Sequence, residues 1–253
     1  MSAHKLSAVI ISKNEADRIA QCLSSLKGLT DDIIVVDSGS TDGTVELAES
    51  YGAKVFDLEW KGYGPTKNWG NERAQHDWII SLDADEWLSE DLKKEILNTE
   101  LVNGNVYMMD RQNIYLGKEI NHSGWSPDWV LRIFNRKDVL WNDNLVHEKL
   151  IVPSGTKKIK LKNKLMHNSY RSREDHMEKI EKYARLKAES WINKKNHPGS
   201  LKRLIGPFAK AFSSYVLKLG FLDGSAGWQI ALTNAHLVRR QIHHFDSLKK
   251  SES

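Results

Sequence analysis

Asp77-Trp78-Ile79-Ile80-Ser81-Leu82-Asp83-Ala84-Asp85-Glu86 joins a short apolar run to three carboxylates within four residues. The run Asp77–Leu82 has the length and continuity of a strand buried on both faces, and such strands belong to parallel sheets covered by helices. Two earlier runs repeat the pattern, Leu6–Ser12 (LSAVIIS) and Ile33–Asp37 (IIVVD). Each leads into a polar cluster, Ser12-Lys13-Asn14-Glu15 and Asp37-Ser38-Gly39-Ser40. Between them, Ile19, Leu23 and Leu26 at three- and four-residue spacing predict a helix over Glu15–Leu26. A second helix is predicted from a cap at Thr41 or Asp42 to about Tyr51, closed by Gly52. Ala53–Asp57 reads as another strand, and Gly62-Tyr63-Gly64-Pro65 leads into a helix near Lys67–Gln75. Strand and helix signals in alternation predict an α/β fold with a mainly parallel sheet flanked by helices.

Further strand-like pieces occur at Val106–Met109 and Trp129–Phe134, separated by a loop rich in Asn, Gly, His and Trp. From Ser172, a candidate N-cap, the pattern turns helical, with Met177, Ile180, Ala184, Ala188 and Trp191 as one stripe. Leu201–Leu219 is a second amphipathic stretch, interrupted or initiated at Pro207, and Phe221–Phe245 is a third. A catalytic domain is therefore expected over residues 1–170, followed by a helical C-terminal region over 171–253.

The 253 residues carry a formal net charge of only +4. Residues 1–153 hold 16 Lys+Arg against 25 Asp+Glu, a net −9, whereas residues 154–253 hold 21 against 8, a net +13. An acidic part fits a divalent cation, and a basic part fits an anionic surface. Cys22 has no partner for an internal disulfide and reads as a buried thiol in a reducing compartment. The N-terminus runs straight into a strand pattern without a signal sequence, so a cytoplasmic location is expected. No apolar run approaches the length of a spanning helix, and membrane contact is expected to be peripheral.

The three polar clusters follow strands, where ligands bind in open parallel sheets. GxGxxG does not follow either early strand, and GxxxxGK[ST] occurs nowhere, which argues against Rossmann dehydrogenases and P-loop NTPases. Asp83, Asp85 and Glu86 repel one another unless a cation or solvent compensates. A hard divalent ion held by one or two carboxylates and by phosphate oxygens supplies that charge. A solvated acidic turn capping a helix near Ser89 is the alternative for an isolated DxD, and the order of elements favours the ion.

With these residues placed, the chain resembles the inverting glycosyltransferases of family 2, which have the GT-A fold. Asp37-Ser38-Gly39-Ser40-Thr41-Asp42-Gly43-Thr44 and Ser81–Glu86 carry that resemblance. Lys13-Asn14-Glu15, Trp125-Ser126-Pro127-Asp128, Arg132-Ile133-Phe134, Val146-His147-Glu148 and Gly220-Phe221-Leu222-Asp223-Gly224 extend it to the lipopolysaccharide core β-glucosyltransferases.

The resemblance implies that Asp37 contacts the uridine of a nucleotide-sugar donor and that Ser12, Asn14 and Glu15 line the nucleotide pocket. Asp83 with Asp85 would face the ribose and the metal, Mg²⁺ or Mn²⁺, with Asp85 as the first direct ligand. His167 would add a metal or diphosphate ligand from the end of the catalytic domain, with a structural histidine as the competing reading. Ser38 departs from the aspartate that many relatives place there. Lys67 and Arg132 are candidate diphosphate contacts, with surface or ion-pair residues as the competing reading, and Trp125 and Trp129 are candidate sugar-stacking or core residues.

Inversion needs a base for the acceptor hydroxyl. The Glu-Asp pair common in relatives has no counterpart in the expected region, so Glu148 is the leading candidate and Asp128 the second. An ion pair of Glu148 with Lys149 or Arg136 is the competing reading. The implied reaction moves glucose from UDP-glucose to a heptose of the lipopolysaccharide inner core, or to a related lipid-linked acceptor, at an anionic membrane face. A metal-dependent nucleotidyltransferase and a non-catalytic membrane- or nucleic-acid-binding module are the alternatives. The first would want a Gly-rich basic first loop, and the second leaves Asp37 and Asp83–Glu86 without a role, so no nucleic-acid partner is expected.

Overall fold

The computed structural model describes residues 5–143, 149–195 and 197–251. The first elements are β1 (Leu6–Ser12), α1 (Ile19–Leu26), β2 (Asp32–Asp37), α2 (Thr44–Ser50), β3 (Lys54–Asp57), α3 (Tyr63–Arg73) and β4 (Trp78–Asp83). They are followed by β5 (Glu86–Leu88), α4 (Glu90–Asn98), β6 (Asn105–Tyr115), β7 (Lys118–Ile120), β8 (Trp129–Asn135), β9 (Leu140–Trp141), β10 (Leu150–Ile151) and β11 (Lys157–Tyr170). The chain ends in α5 (Arg173–Asn193), α6 (Ser200–Phe212), a π-helical turn (Ser213–Leu217), a 3₁₀ turn (Gly220–Asp223) and α7 (Gly224–Ser251).

The chain forms two compact units, one of residues 1–111 and 128–167 and one of residues 112–127 and 168–253. In the first unit β2 and β4 flank β1 in parallel, and β3 extends β2 in parallel. Beyond β4 the sheet becomes antiparallel: β8 pairs β4, and β6 pairs β8. At the far edge β11 pairs antiparallel with β5, setting His167 opposite Glu86.

β1 is buried along its whole length, as a central strand covered on both faces must be. Its even-numbered residues Leu6, Ala8 and Ile10 join Leu23, Leu26 and Leu82 in one core, while Val9 and Ile11 join Ile34, Val36 and Phe134 in another. On that second face Gly70 lets α3 reach the sheet. A Cβ there would lie 2.6 Å from Val9 Cγ1 and 2.9 Å from Val36 Cγ2.

The second unit packs Tyr115, Ile120, Ala226 and Ile230 in one cluster and Ala188, Trp191 and Phe245 in another. Ser172 caps α5 by accepting a hydrogen bond from Asp175 N. The buried stripe of α5 includes His176, with Met177 only half-buried beside it. α6 continues through Pro207, and none of its residues is buried. The apolar stripe read from the sequence thus has no covering within the chain's described residues.

Candidate functional site

Strand ends place the three polar clusters at one edge of the parallel sheet, because β1 runs level with β2 and β4: Ser12 pairs with Asp37, and Ile11 with Asp83. The first two clusters are tied to each other. Asn14, at φ 55°, turns the chain after β1, a conformation asparagine tolerates better than most residues. Its backbone N–H donates to Ser40 Oγ at 2.7 Å, and its Oδ1 accepts from Thr41 N at 2.9 Å. Glu15 N donates to Thr44 Oγ1 at 2.8 Å. This lacing delays the start of α1 to Ile19, four residues beyond the first position predicted.

Asp37 is buried and accepts three hydrogen bonds, from Ser12 Oγ at 2.8 Å, Ser40 N at 2.7 Å and Ser40 Oγ at 2.5 Å. Its carboxylate therefore organises both loops. Ser12 serves it as a donor, and Glu15 pairs with Arg18, whose guanidinium also lies 3.7 Å from Asp85 Oδ2.

The third cluster separates its carboxylates into different electrostatic states. Asp83 Oδ1 lies 2.9 Å from Lys67 Nζ, and Oδ2 accepts from Arg132 at 2.8 Å. Burial pushes the Asp83 carboxyl up, but Lys67, Arg132 and Arg111 outweigh it and hold it well below the usual carboxylate range. Glu86, fully buried, accepts from Arg132 and Arg111 through Oε1 and from the Asp83 backbone N–H through Oε2 at 3.1 Å. Arg132 is raised: burial lowers it, and Glu86 and Asp83 more than restore it. Lys67 and Arg132 thus sit as buried countercharges to the acidic motif, and Lys67 also lies 4.6 Å from the centre of the Trp141 ring.

Asp85 differs. Its nearest recorded cations are His167 Nε2 and Arg18, each at 3.7 Å, beyond hydrogen-bonding distance. Burial pushes its carboxyl up, and Asp83 and Glu86 add to the rise against the opposing pull of His167 and Arg18. Asp85 is the carboxylate of the motif that an added cation would stabilise most. The pairing of β11 with β5 delivers His167 to the same place. No group of three or more His, Cys, Asp or Glu side chains suited to a metal occurs among the described residues. A carboxylate and an imidazole fit a divalent ion that takes its remaining ligands from diphosphate and water.

Asp128 precedes β8 and is linked to the motif through Arg111, which donates from Nε to Asp128 Oδ2 at 2.8 Å and from Nη1 to Glu86 Oε1 at 3.1 Å. Glu148 lies outside the described residues. Of its suggested partners, Arg136 donates to Asn71 O at 2.6 Å. Trp129 lies under Lys160 Nζ at 4.3 Å. In the second unit Trp125 packs against Tyr115 and Tyr170 in an aromatic cluster. Arg18 and Arg111 were not among the residues singled out from the sequence. Arg111 lies two residues beyond the strand expected at Val106–Met109, so no local pattern marked it. Arg18 follows Glu15 by three residues, the spacing of a helical ion pair.

Comparison with known proteins shows the family and the fold. The profile of the family described as "Glycosyl transferase family 2" matches residues 7–150. The lipopolysaccharide core biosynthesis glycosyltransferase LpsC of Rhizobium meliloti is 30% identical over 244 residues, covering 90% of this chain and 84% of that protein. An uncharacterized glycosyltransferase of Rickettsia conorii is 49% identical over 92 residues, 36% of this chain and 33% of the relative, so the match spans about a third of that protein. Among solved structures, the mannosyltransferase PcManGT of Pyrobaculum calidifontis, in complex with GDP-Man and Mn²⁺, superposes with a TM-score of 0.54 at 13% identity, covering 97% of this chain and 88% of that one.

Proposed function

Because the chain belongs to glycosyl transferase family 2 and has the GT-A fold, we propose that it transfers glucose from UDP-glucose, with inversion, to a heptose of the lipopolysaccharide inner core. The observation that carries the site assignment is the contrast between Asp83, neutralised by Lys67 and Arg132, and Asp85, which faces His167 across 3.7 Å with its carboxyl raised. Asp85 and His167 are the proposed metal ligands. Asp83 stands beside them toward the ribose, and its own share in metal binding requires Lys67 or Arg132 to give way. A divalent ion held there, Mg²⁺ or Mn²⁺, would supply positive charge to a leaving diphosphate.

The chain's own residues supply the remaining roles. Asp37, Ser12, Asn14 and Glu15 fix the two loops that receive the nucleotide, and Lys67 and Arg132 set the charge beneath the diphosphate. The acceptor hydroxyl attacks the anomeric carbon, its proton passes to a carboxylate, and the bond to UDP breaks. Glu148 is the first candidate for that carboxylate and Asp128 the second. The acceptor assignment is supported by LpsC, whose name places it in core biosynthesis. Such an acceptor is membrane-borne, so the protein is proposed to act as a peripheral protein at the cytoplasmic membrane face.

The test is a screen of nucleotide sugars, with truncated lipopolysaccharide as acceptor and with or without Mn²⁺ and Mg²⁺. UDP-glucose is expected to give acceptor-dependent release of UDP only with a divalent ion. Release of pyrophosphate would point to nucleotidyl transfer, and turnover of another donor would replace the sugar assignment. In the same assay Glu148→Gln is expected to spare donor binding and slow transfer by about 10²- to 10⁴-fold, the usual contribution of a general base. If Asp128→Asn alone has that effect, Asp128 is the base.

A further inference from the structure

In α6 the usual relation of a surface helix to its protein is reversed. Leu201, Leu204, Ile205, Phe208 and Phe212 recur at three- and four-residue spacing and form one stripe. A soluble helix turns such a stripe inward, yet Leu201 is 70% exposed and Leu204 and Phe208 are each 74% exposed. The opposite side makes the contacts with α7. A Cβ at Gly206 would lie 3.3 Å from Val238 Cγ1, and Arg203 pairs with Asp246 at 2.8 Å. The small and polar side is therefore committed to the protein, and the apolar side faces away from it.

The uncovered surface continues past α6. Val216, Leu217 and Leu219 are exposed in and after the π-helical turn, and Phe221, Leu222 and Trp228 follow in the 3₁₀ turn and the start of α7. Tyr215 joins them, with its ring centre 5.1 Å from Trp228 and 6.4 Å from Phe221. Large exposed apolar side chains clustered in this way mark a contact surface.

Charge narrows the kind of partner that would suit this surface. Residues 190–222 contain six Lys or Arg and no Asp or Glu. The next acid, Asp223, has a side chain only 2% exposed, turned onto the backbone of Asn121 and His122 and onto Ser123 Oγ. Lys202, Lys210 and Lys218 are exposed. Two copies joined through this face would bring like charges together, whereas a lipid surface with anionic headgroups accepts both the apolar stripe and the cations. Thirteen residues give a helix about 20 Å long, too short for the ~30 Å hydrocarbon core, so α6 would lie along the interface. No described helix is long and apolar enough to cross a membrane.

We propose that the α6 stripe, continued through Phe221, Leu222 and Trp228, is an interfacial docking surface for an anionic lipid bilayer. The proposal rests on the peripheral-membrane reading above and adds the surface and the lipid chemistry. The test is flotation of the full chain with vesicles of phosphatidylcholine alone or mixed with phosphatidylglycerol, at low and high salt. Binding is expected only with phosphatidylglycerol and to weaken with salt. Leu204→Ser combined with Phe208→Ser is expected to lower partitioning roughly a hundredfold. Lys202→Gln, Lys210→Gln and Lys218→Gln together are expected to lower it by a similar factor.

Unchanged partitioning of the Leu204/Phe208 variant, or equal and salt-insensitive binding to phosphatidylcholine alone, would overturn the proposal. A dimer in solution that the Leu204/Phe208 variant dissolves, with no vesicle binding, would assign the stripe to a second copy instead. Binding of UDP-glucose by the same variants, followed by calorimetry, separates this proposal from the catalytic one. Vesicle binding by a wild-type chain that binds no nucleotide sugar would overturn only the latter.

Discussion

Asp85→Ala is expected to lower transfer by about 10³-fold or more while leaving the protein folded, since countercharge to a leaving diphosphate contributes several kcal/mol. The two halves of that expectation come from one geometry. Asp85 has its cations, His167 and Arg18, at 3.7 Å, beyond hydrogen-bonding distance, and burial pushes its carboxyl up, with Asp83 and Glu86 adding to the rise against the pull of those two groups. Its charge is a cost to the free protein, chiefly of burial, so removing it relieves that cost. The melting temperature of the variant should hold or rise. Binding of Mn²⁺ in the presence of UDP, followed by calorimetry, should fall with the activity. A variant that retains full transfer would end the metal assignment, and one that loses activity only by unfolding would leave Asp85 as a structural residue.

The strands and the polar clusters after them were legible because burial on both faces demands an apolar run, and the run ends where the chain must turn. Leu6–Ser12 matches β1 residue for residue, and Ile33–Asp37 and Asp77–Leu82 fall within one residue of β2 and β4. The antiparallel half of the sheet was only partly legible. β6 is 11 residues long where four were predicted, because Asp110, Arg111, Gln112 and Asn113 break the apolar run yet lie in the strand. These residues are paired with partners distant in sequence, Asp110 with Lys164 and Arg111 with Glu86 and Asp128, and no local pattern reports such pairing.

The candidate site shows the same division. Residue types and positions were readable, since Asp37 and Asp83 end their strands, Asp85 lies in the turn after β4, and His167 stands on β11 opposite Glu86. Their electrostatic states were not. Three acids in DADE look equivalent in sequence, and only the placement of Lys67, Arg111 and Arg132 distinguishes two carboxylates with cations at hydrogen-bonding distance from Asp85, whose cations stand off at 3.7 Å. The same limit applies to α6. Its spacing showed an amphipathic helix, but which side would be covered depends on where Gly206 meets α7.

Glu86→Gln is expected to be the most destabilising single substitution near the site, by about 3–5 kcal/mol, because it removes one partner from a buried set of charges. Glu86 is fully buried, and its Oε1 serves Arg132 and Arg111 while Oε2 accepts the Asp83 N–H. A glutamine can keep one acceptor oxygen at most. Its amide N–H₂ would then face either the guanidinium groups or the Asp83 N–H, donor against donor, and the two arginines would lose a countercharge that burial prevents water from replacing. For a chain of this length the loss corresponds to a fall in melting temperature of roughly 10 °C. Glu90→Gln is the matched control: its carboxylate pairs with Lys93 on the exposed face of α4, with the Glu90 side chain 72% exposed. A pair of that kind contributes about 0–1 kcal/mol, so this variant should melt within a few degrees of the parent. Thermal unfolding of the two variants side by side decides the matter. Equal melting temperatures would mean that the cluster around Asp83 and Glu86 is hydrated enough to screen its charges, and the contrast between Asp83 and Asp85 would then lose its electrostatic basis.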